Sequence, residues 1–182
     1  MEAIYSTRYK NHLIEIHYDD GGESPREWDN LATMAIFHRN YTLGDKHNFA
    51  DAGELIDYIN ENDDELYVLP IYMYDHSGIT IKTSPFNCNF DSGQVGFIYM
   101  TKEDAVKNQV PDPIAAMESE VKIYDQYIRG EVYGYRIFDD EGTEVDSCWG
   151  YIGDSDYCEV DAKQLVDYYD RTNPKQYELE LA

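Results

Sequence analysis

The spacing of apolar and polar residues along the chain predicts a series of β-strands. Residues 13–18 alternate between apolar and polar side chains and end at the turn 19–22, a pattern typical of a half-buried strand. Further strands are predicted at the apolar or alternating runs 28–38, 66–74, 78–83, 94–100, 131–139 and 144–152. The first of these runs also fits a short buried helix, because periodicity does not separate the two. Within the second, Pro70 marks an edge, a bulge or a strand start, because proline donates no ladder hydrogen bond.

Apolar residues three and four positions apart predict the helices. The clearest helix begins at Asp112-Pro113, a cap residue followed by a proline, and ends at Gly130. Thr101 caps a short helix near 102–108. Two more helices are predicted at 51–61 and at about 161–170.

Together these elements predict an α+β fold, with a mainly antiparallel sheet and about three to four helices packed on it. We expect a single domain over residues 1–182, because no repeat, low-complexity tract or linker divides the chain. The length suffices for one core, since a domain near this size buries roughly two-thirds of the surface that its unfolded chain exposes.

The charge of the chain is extreme. The chain has 37 acidic residues against 14 lysines and arginines, a formal net charge of -23, far beyond the magnitude of about 2 to 8 that suits a small soluble domain. Charge of this sign repels phosphate, so we expect basic protein surfaces as partners and no direct nucleic-acid binding. Adaptation to high salt or a generally acidic proteome is the alternative explanation. The chain shows no apolar run typical of a membrane span or signal peptide, so a cytoplasmic protein is expected.

The acids concentrate in two windows that contain no lysine or arginine. The window 51–65 holds seven acids, and the window 137–162 holds nine with aromatic residues interleaved. Carboxylates one helical turn apart are about 5 Å apart along the axis, comparable with the roughly 3.4 Å advance of phosphates along one DNA strand. Two partner-binding faces are therefore predicted. They consist of Asp51, Glu54, Asp57, Glu61, Asp63 and Asp64, and of Asp139, Asp140, Glu141, Glu144, Asp146, Trp149, Tyr151, Asp154 and Asp156.

Catalytic motifs are lacking in the sequence. It contains no nucleophile elbow, phosphate loop, dinucleotide fingerprint or zinc-protease helix. Cys88, His76, Asp75 and Asp91 lie near one predicted hairpin and its loop, and they form the best grouping for a nucleophilic or hydrolytic enzyme. An exposed histidine in a turn is the simpler explanation, so no catalytic residue and no enzyme activity is predicted.

Metal and redox chemistry receive equally little support. His38, Asp45, His47 and Asp51 form the densest run of possible ligands, but their spacing matches no closed metal motif. The three cysteines are widely spaced and lack a C-x-x-C pair, which favours reduced packing residues. We expect neither a metal ion nor a cofactor.

A resemblance adds a biological setting. The stretch Leu69–Asp104, which includes Pro-Ile-Tyr-Met-Tyr-Asp-His-Ser-Gly-Ile-Thr-Ile-Lys, resembles small acidic proteins carried by phages and mobile elements of Gram-positive bacteria. The segments Tyr124–Tyr135 and Val145–Tyr151 strengthen the likeness, which covers about residues 66–151. Some proteins of this kind act as anti-CRISPR or antirestriction factors. The motifs of the elongated antirestriction family are not found, and no catalytic residue is carried over.

The resemblance therefore implies an inhibitor of a bacterial host-defence nuclease, with a type II CRISPR effector or its guide-RNA complex as the preferred target. Such effectors hold guide and target in basic channels. The alternatives are an antirestriction DNA mimic, a nucleic-acid-processing or other hydrolytic enzyme with a site near residues 75–93, and an acidic housekeeping protein of a mobile element.

Overall fold

The structure, a computed structural model, describes residues 2–88 and 90–172 and confirms the predicted α+β fold. Its strands are β1 Tyr5–Tyr9, β2 His12–Tyr18, β3 Thr33–Ile36, β4 Leu66–Asp75, β5 Ile79–Lys82, β6 Ser92–Thr101, β7 Val132–Phe138 and β8 Glu144–Ile152. Its helices are α1 Ala52–Glu61, α2 Lys102–Lys107, α3 Pro113–Ile128 and α4 Ser155–Thr172, and 3-10 turns lie at Pro25–Glu27 and Asp63–Glu65.

The chain divides into two compact units. One, the terminal unit, contains residues 1–23 and 130–182, and the other, the central unit, contains residues 24–129. Each unit has its own four-stranded antiparallel sheet and its own cluster of buried apolar side chains. Whether the two units form the single predicted domain stays a prediction.

The terminal unit is a sheet with the strand order β1-β2-β7-β8 and one long helix, α4, packed on it. Ile14 and Ile16 of β2 are fully buried in its core. They meet Cys158, Ala162 and Val166, which are four residues apart in α4 and so lie on one face of the helix. The helix is held to the sheet by this apolar stripe, while its remaining positions are mostly polar.

The central unit is a sheet with the strand order β3-β6-β4-β5, and α3 packs against it through Met117, Val121 and Tyr124. Pro70 lies in the half of β4 that pairs with β6 only, beside a register shift at Ile71/Tyr72. That half of β4 is open on its other side, a position in which proline is tolerated.

A buried arginine ties distant parts of the central unit together. The side chain of Arg26 is 5% exposed, and its guanidinium donates to both carboxylate oxygens of Asp45, at 2.9 and 2.6 Å, and to Glu120 at 2.6 Å. It also donates to the backbone oxygen of Ala32 at 2.8 Å. A buried cation is stable only when paired and hydrogen-bonded, and these partners satisfy it.

Three elements differ from the sequence prediction. The strand predicted over 28–38 is limited to β3, Thr33–Ile36, since Trp28 and Leu31 are exposed and lie before the paired residues. Strand β1 was not predicted, although its two tyrosines pack against the core from an edge position beside β2. Helix α4 begins at Ser155, six residues before the predicted start at Asp161. The sequence pattern missed its first turn because Cys158 is the only residue there that lies on the buried face. None of the helices in the described part of the chain is both long and apolar enough to cross a membrane.

Candidate partner-binding surfaces

Helix α1 carries the first predicted face, and its start is fixed by the acids themselves. Asp51 is the N-cap: its Oδ1 accepts a hydrogen bond from the backbone N–H of Glu54 at 3.0 Å. The Glu54 carboxylate accepts from the N–H of Ala50 at 2.6 Å. The Asp51 carboxylate satisfies a donor that a helix N-terminus leaves unpaired, and both carboxylates gain from the helix dipole.

A few apolar contacts hold α1 in place. Leu55 is its one fully buried residue, while Ile56 is 43% exposed. The ring of Tyr58 lies 5.4 Å from that of Phe49 and 5.7 Å from that of Tyr99 on β6. The helix is thus anchored along one narrow line and leaves most of its circumference to solvent.

The exposed side of α1 and the turn that follows it form a continuous run of carboxylates, which we call the α1 surface. All seven of its acids are exposed. Within the described residues, no hydrogen bond or ion pair engages the carboxylates of Asp57, Glu61, Asp63, Asp64 and Glu65. The α1 surface consists of Asp51, Glu54, Asp57, Glu61, Asp63, Asp64 and Glu65.

One cation that is remote in sequence approaches the α1 surface. The ammonium of Lys102 donates to the backbone oxygen of Asp64 at 2.7 Å and lies 5.8 Å from the ring centre of Tyr67. It contacts the main chain and the ring of Tyr67, so the neighbouring carboxylates remain unpaired. The sequence window gave no sign of this contact.

The second predicted face, in the terminal unit, is organised differently. Its sequence window contains no lysine or arginine, but the two residues that flank the window, Arg136 and Lys163, form ion pairs with acids inside it. Arg136 pairs with Glu144, and Lys163 pairs with Glu159 at 2.5 Å. These hydrogen bonds lower the pKa of both carboxyl groups.

Tyrosine hydroxyls engage two more carboxylates of the window 137–162. Tyr169 donates to Asp146 and Tyr151 donates to Asp161, and both hydrogen bonds join α4 to β8. The hydrogen bond to Asp146 raises the pKa of Tyr169, and burial together with the bond to Asp161 raises the pKa of Tyr151. These acids therefore fasten the helix to the sheet.

Turn formation occupies two further acids. Asp139 accepts from the N–H groups of Glu141 and Thr143 at 3.0 and 2.7 Å, and Asp154 accepts from the N–H of Asp156 at 2.8 Å. Side-chain acceptors of this kind are the usual reason for aspartate in a tight turn. Within the described chain, only Asp140, Glu141 and Asp156 of this face are exposed carboxylates without a partner.

The two aromatic residues predicted for this face take separate positions. Trp149 packs over Gly134 of the neighbouring strand, where an added Cβ would lie 2.2 Å from the indole. Its ring centre is 6.0 Å from that of the buried His17, and 39% of Trp149 remains exposed. Tyr151 packs on Tyr135 at 5.8 Å and serves the core. Of the two, Trp149 offers the larger surface to a partner.

The grouping considered for catalysis is partly brought together. His76 Nδ1 lies 3.5 Å from Asp91 Oδ2, and Cys88 Sγ lies 3.9 Å from the same oxygen. A cysteine nucleophile is activated when its thiol hydrogen-bonds to the imidazole that takes its proton. Here both side chains contact the carboxylate, and the described residues show no Cys88–His76 hydrogen bond. His76 is also 64% exposed, so the cluster lacks the shelter typical of an active site.

The run considered for metal binding does not converge either. Asp45 is bound to Arg26 and to the N–H of Met34, and His47 packs against Phe37 at 4.7 Å. Across residues 2–88 and 90–172, no group of three or more histidine, cysteine or acidic side chains is arranged to hold a metal ion.

Comparisons with known proteins add no family. Neither a protein-family model, nor a curated protein, nor a solved structure matches the chain. The arrangement of the acidic side chains is therefore the observation from which a function is inferred.

Proposed function

We propose that the chain is a non-enzymatic inhibitor of a bacterial host-defence nuclease, with a type II CRISPR effector as the preferred target. It occupies the basic surface that the nuclease uses to hold its guide RNA or target DNA. The α1 surface makes the main contact. The hairpin that joins β7 to β8 contributes a weaker one through Asp140 and Glu141.

The observation that carries this proposal is the number of unpaired carboxylates on the α1 surface. A carboxylate that already accepts internal hydrogen bonds must lose them before it can bind a partner. Those of Asp57, Glu61 and Asp63 lose nothing but water, because the described chain gives them no partner. Binding to arginine and lysine is therefore favoured here over the terminal unit.

The geometry of α1 suits a surface that holds a nucleic-acid backbone. Glu54, Asp57 and Glu61 follow at steps of three and four and share one side of the helix. With a rise of about 1.5 Å per residue they extend over roughly 10 Å, about the axial distance from the first to the fourth of successive phosphates on one DNA strand. Arginines placed to contact successive phosphates therefore find carboxylates at comparable intervals.

Inhibition and binding test the proposal directly. Purified protein mixed with the type II effector at low salt is expected to co-elute with it, and to suppress guide loading or target cleavage. The affinity should fall as salt is added, since exposed charges are screened. A nuclease that is neither bound nor inhibited at saturating protein rules the proposal out and leaves salt adaptation or general acidity as the explanation of the charge.

Two matched triple variants locate the surface. Asp57→Asn, Glu61→Gln and Asp63→Asn remove three charges from the α1 surface, and Asp140→Asn, Glu141→Gln and Asp156→Asn remove three from the terminal unit. We expect the first variant to slow association about tenfold and the second to slow it less than about threefold, because exposed charges act mainly on association rates. Equal losses assign the effect to net charge and contradict the choice of surface.

An enzyme is the second candidate, favoured by the contacts of His76 and Cys88 with Asp91. It is distinguished by incubating labelled guide RNA with the protein, with and without magnesium and with and without the nuclease. Cleavage by the protein alone, lost in Cys88→Ser or His76→Gln, supports the enzyme. Intact RNA in all samples that lack the nuclease supports the inhibitor.

A further inference from the structure

A surface cavity of about 700 Å³ in the central unit lies outside both acidic faces. It is formed by the loop that follows β3 and returns alongside it, residues 36–47. Its lining includes Phe37, His38, Arg39, Tyr41, Lys46 and His47. The volume falls within the range of about 300 to 1,000 Å³ that is usual for small-molecule sites.

The charge of this loop is opposite to that of the chain. Between Leu31 and Ala50 there are two cationic side chains, Arg39 and Lys46, and one acid, Asp45. The carboxylate of Asp45 is occupied by Arg26 and by the N–H of Met34. Arg39 and Lys46 are exposed, and in the described chain neither has a carboxylate within 4.0 Å. In a protein with a net charge of -23, two unpaired cations on one cavity are a local reversal of charge that favours an anion.

Two pairs of aromatic side chains also line the cavity. His38 stacks on Tyr41 with ring centres 5.0 Å apart and planes 16° from parallel. Phe37 and His47 lie 4.7 Å apart. The Nδ1 atom of His47 is buried and has no hydrogen-bond partner among the described residues. Aromatic faces on the cavity suit a ligand that carries a planar base.

Gly44 and Asp45 attach the loop to β3 and α3. Gly44 adopts φ +74°, and an added Cβ would lie 2.4 Å from the backbone oxygen of Met34. Its N–H donates to the hydroxyl of Tyr124 at 3.0 Å, and the N–H of Asp45 donates to Met34 at 2.8 Å. These contacts fix the backbone of residues 44 and 45 before a ligand enters, which lowers the conformational entropy that binding costs.

We propose that this cavity binds a free nucleoside monophosphate, with Arg39 and Lys46 on the phosphate and the His38–Tyr41 or Phe37–His47 pair against the base. A free nucleotide is favoured over a nucleic-acid strand because the remaining charge of the chain repels a long polyanion. This proposal does not depend on the inhibitor function.

Calorimetry with adenosine monophosphate, adenosine and inorganic phosphate tests the site on the intact chain. The monophosphate is expected to bind in the micromolar to millimolar range, more weakly as salt is raised, and more tightly than either adenosine or phosphate alone. Lys46→Gln should weaken binding about tenfold, the usual effect of one lost charge-assisted hydrogen bond. Phe37→Leu should weaken it too, with circular dichroism confirming an unchanged fold.

Lys122→Gln is the matched control, because Lys122 is an exposed lysine of the same unit, on α3 and away from the cavity lining. It should leave the affinity unchanged. No heat of binding at millimolar nucleotide, equal weakening by Lys122→Gln, or phosphate binding as tightly as the nucleotide each overturn the proposal. Tighter binding of a single-stranded oligonucleotide than of the monophosphate overturns the choice of a free nucleotide.

Discussion

The two acidic windows look alike in sequence and differ in what their carboxylates do. In the terminal unit, Glu144, Asp146 and Asp161 accept hydrogen bonds from Arg136, Tyr169 and Tyr151. On the α1 surface, most carboxylates contact only solvent. Local charge density therefore does not distinguish acids that build the fold from acids that are free to bind. The difference lies in the donors, and those are supplied by other elements.

The largest expected effect follows from removing a structural carboxylate. Asp161→Ala leaves the partly buried hydroxyl of Tyr151 without its acceptor between β8 and α4. We expect the free energy of unfolding to fall by about 1–3 kcal/mol. Asp140→Ala, which removes an exposed acid of the same window, should change it by less than about 0.5 kcal/mol. Urea unfolding followed by circular dichroism measures both, and equal values would remove the distinction between the two kinds of acid.

The α1 surface contains one structural acid, which sharpens the comparison. Asp51→Ala removes the N-cap of α1 and should cost about 1 kcal/mol, whereas Asp51→Asn and Asp51→Ser should retain most of the stability. The helical signal and the unfolding midpoint are the measurements. A loss in Asp51→Asn as large as that in Asp51→Ala would show that charge, and not the capping hydrogen bond, stabilises this helix start.

A smaller effect concerns pH. The hydrogen bonds from Lys10 and Tyr9 lower the pKa of Asp167 in the folded terminal unit. A lowered pKa stabilises the fold above the unfolded value, about 4, and this contribution is lost as the pH falls through the folded value. The difference in melting temperature between the natural chain and Lys10→Gln should therefore be present at pH 7 and shrink below about pH 4.

The natural chain and Lys10→Gln differ by one charge only, so general charge repulsion largely cancels from the difference between their melting temperatures. Trp28→Phe in both backgrounds leaves Trp149 as the one tryptophan, so fluorescence then reports on the terminal unit. Added salt should reduce the difference, since Lys10 and Asp167 are both exposed by 42%. A difference that grows on acidification would contradict the assigned direction.

The smallest effect is expected for the free acids. Asp57 and Glu61 are one turn apart on α1, and like charges at this spacing repel by roughly 0.2–0.5 kcal/mol. Asp57→Asn combined with Glu61→Gln should leave stability unchanged or raise it by that amount. Thermal unfolding at low and high salt gives the measurement. A clear loss of stability would show that these carboxylates have a structural role.

Local signals in the sequence predicted much of the fold. Thr101 and Asp112 were expected as helix caps, and each accepts a hydrogen bond from the N–H three residues on. Asp51, which was predicted only as the first residue of a helix, does the same. Such signals are readable because cap and helix are adjacent in the chain. Strand β1 was missed, because a five-residue edge strand with only two tyrosines on its inner side carries little apolar pattern.

The roles of the acidic residues were not readable in the same way. Tyr169 lies 23 residues from Asp146, and Lys102 lies 38 residues from Asp64. Neither sequence separation follows a helical or strand period, so these residues are brought into contact only by the packing of distant elements. The cavity beside β3 was also missed. Only His38, Asp45, His47 and Asp51 of this region were considered, as possible metal ligands, and two cations, Arg39 and Lys46, are too few to form a sequence pattern.

The buried Arg26 has a consequence for the order of folding. Its two carboxylate partners are 19 and 94 residues away, one before α1 and the other on α3. Closing contacts over such a separation is slow, because the loop entropy is lost before the contact is gained. Until α3 has docked, the guanidinium lacks its partner Glu120 and the loop beside β3 lacks the hydrogen bond to Tyr124. We therefore expect the walls of the cavity to be among the last parts of the central unit to become ordered during folding.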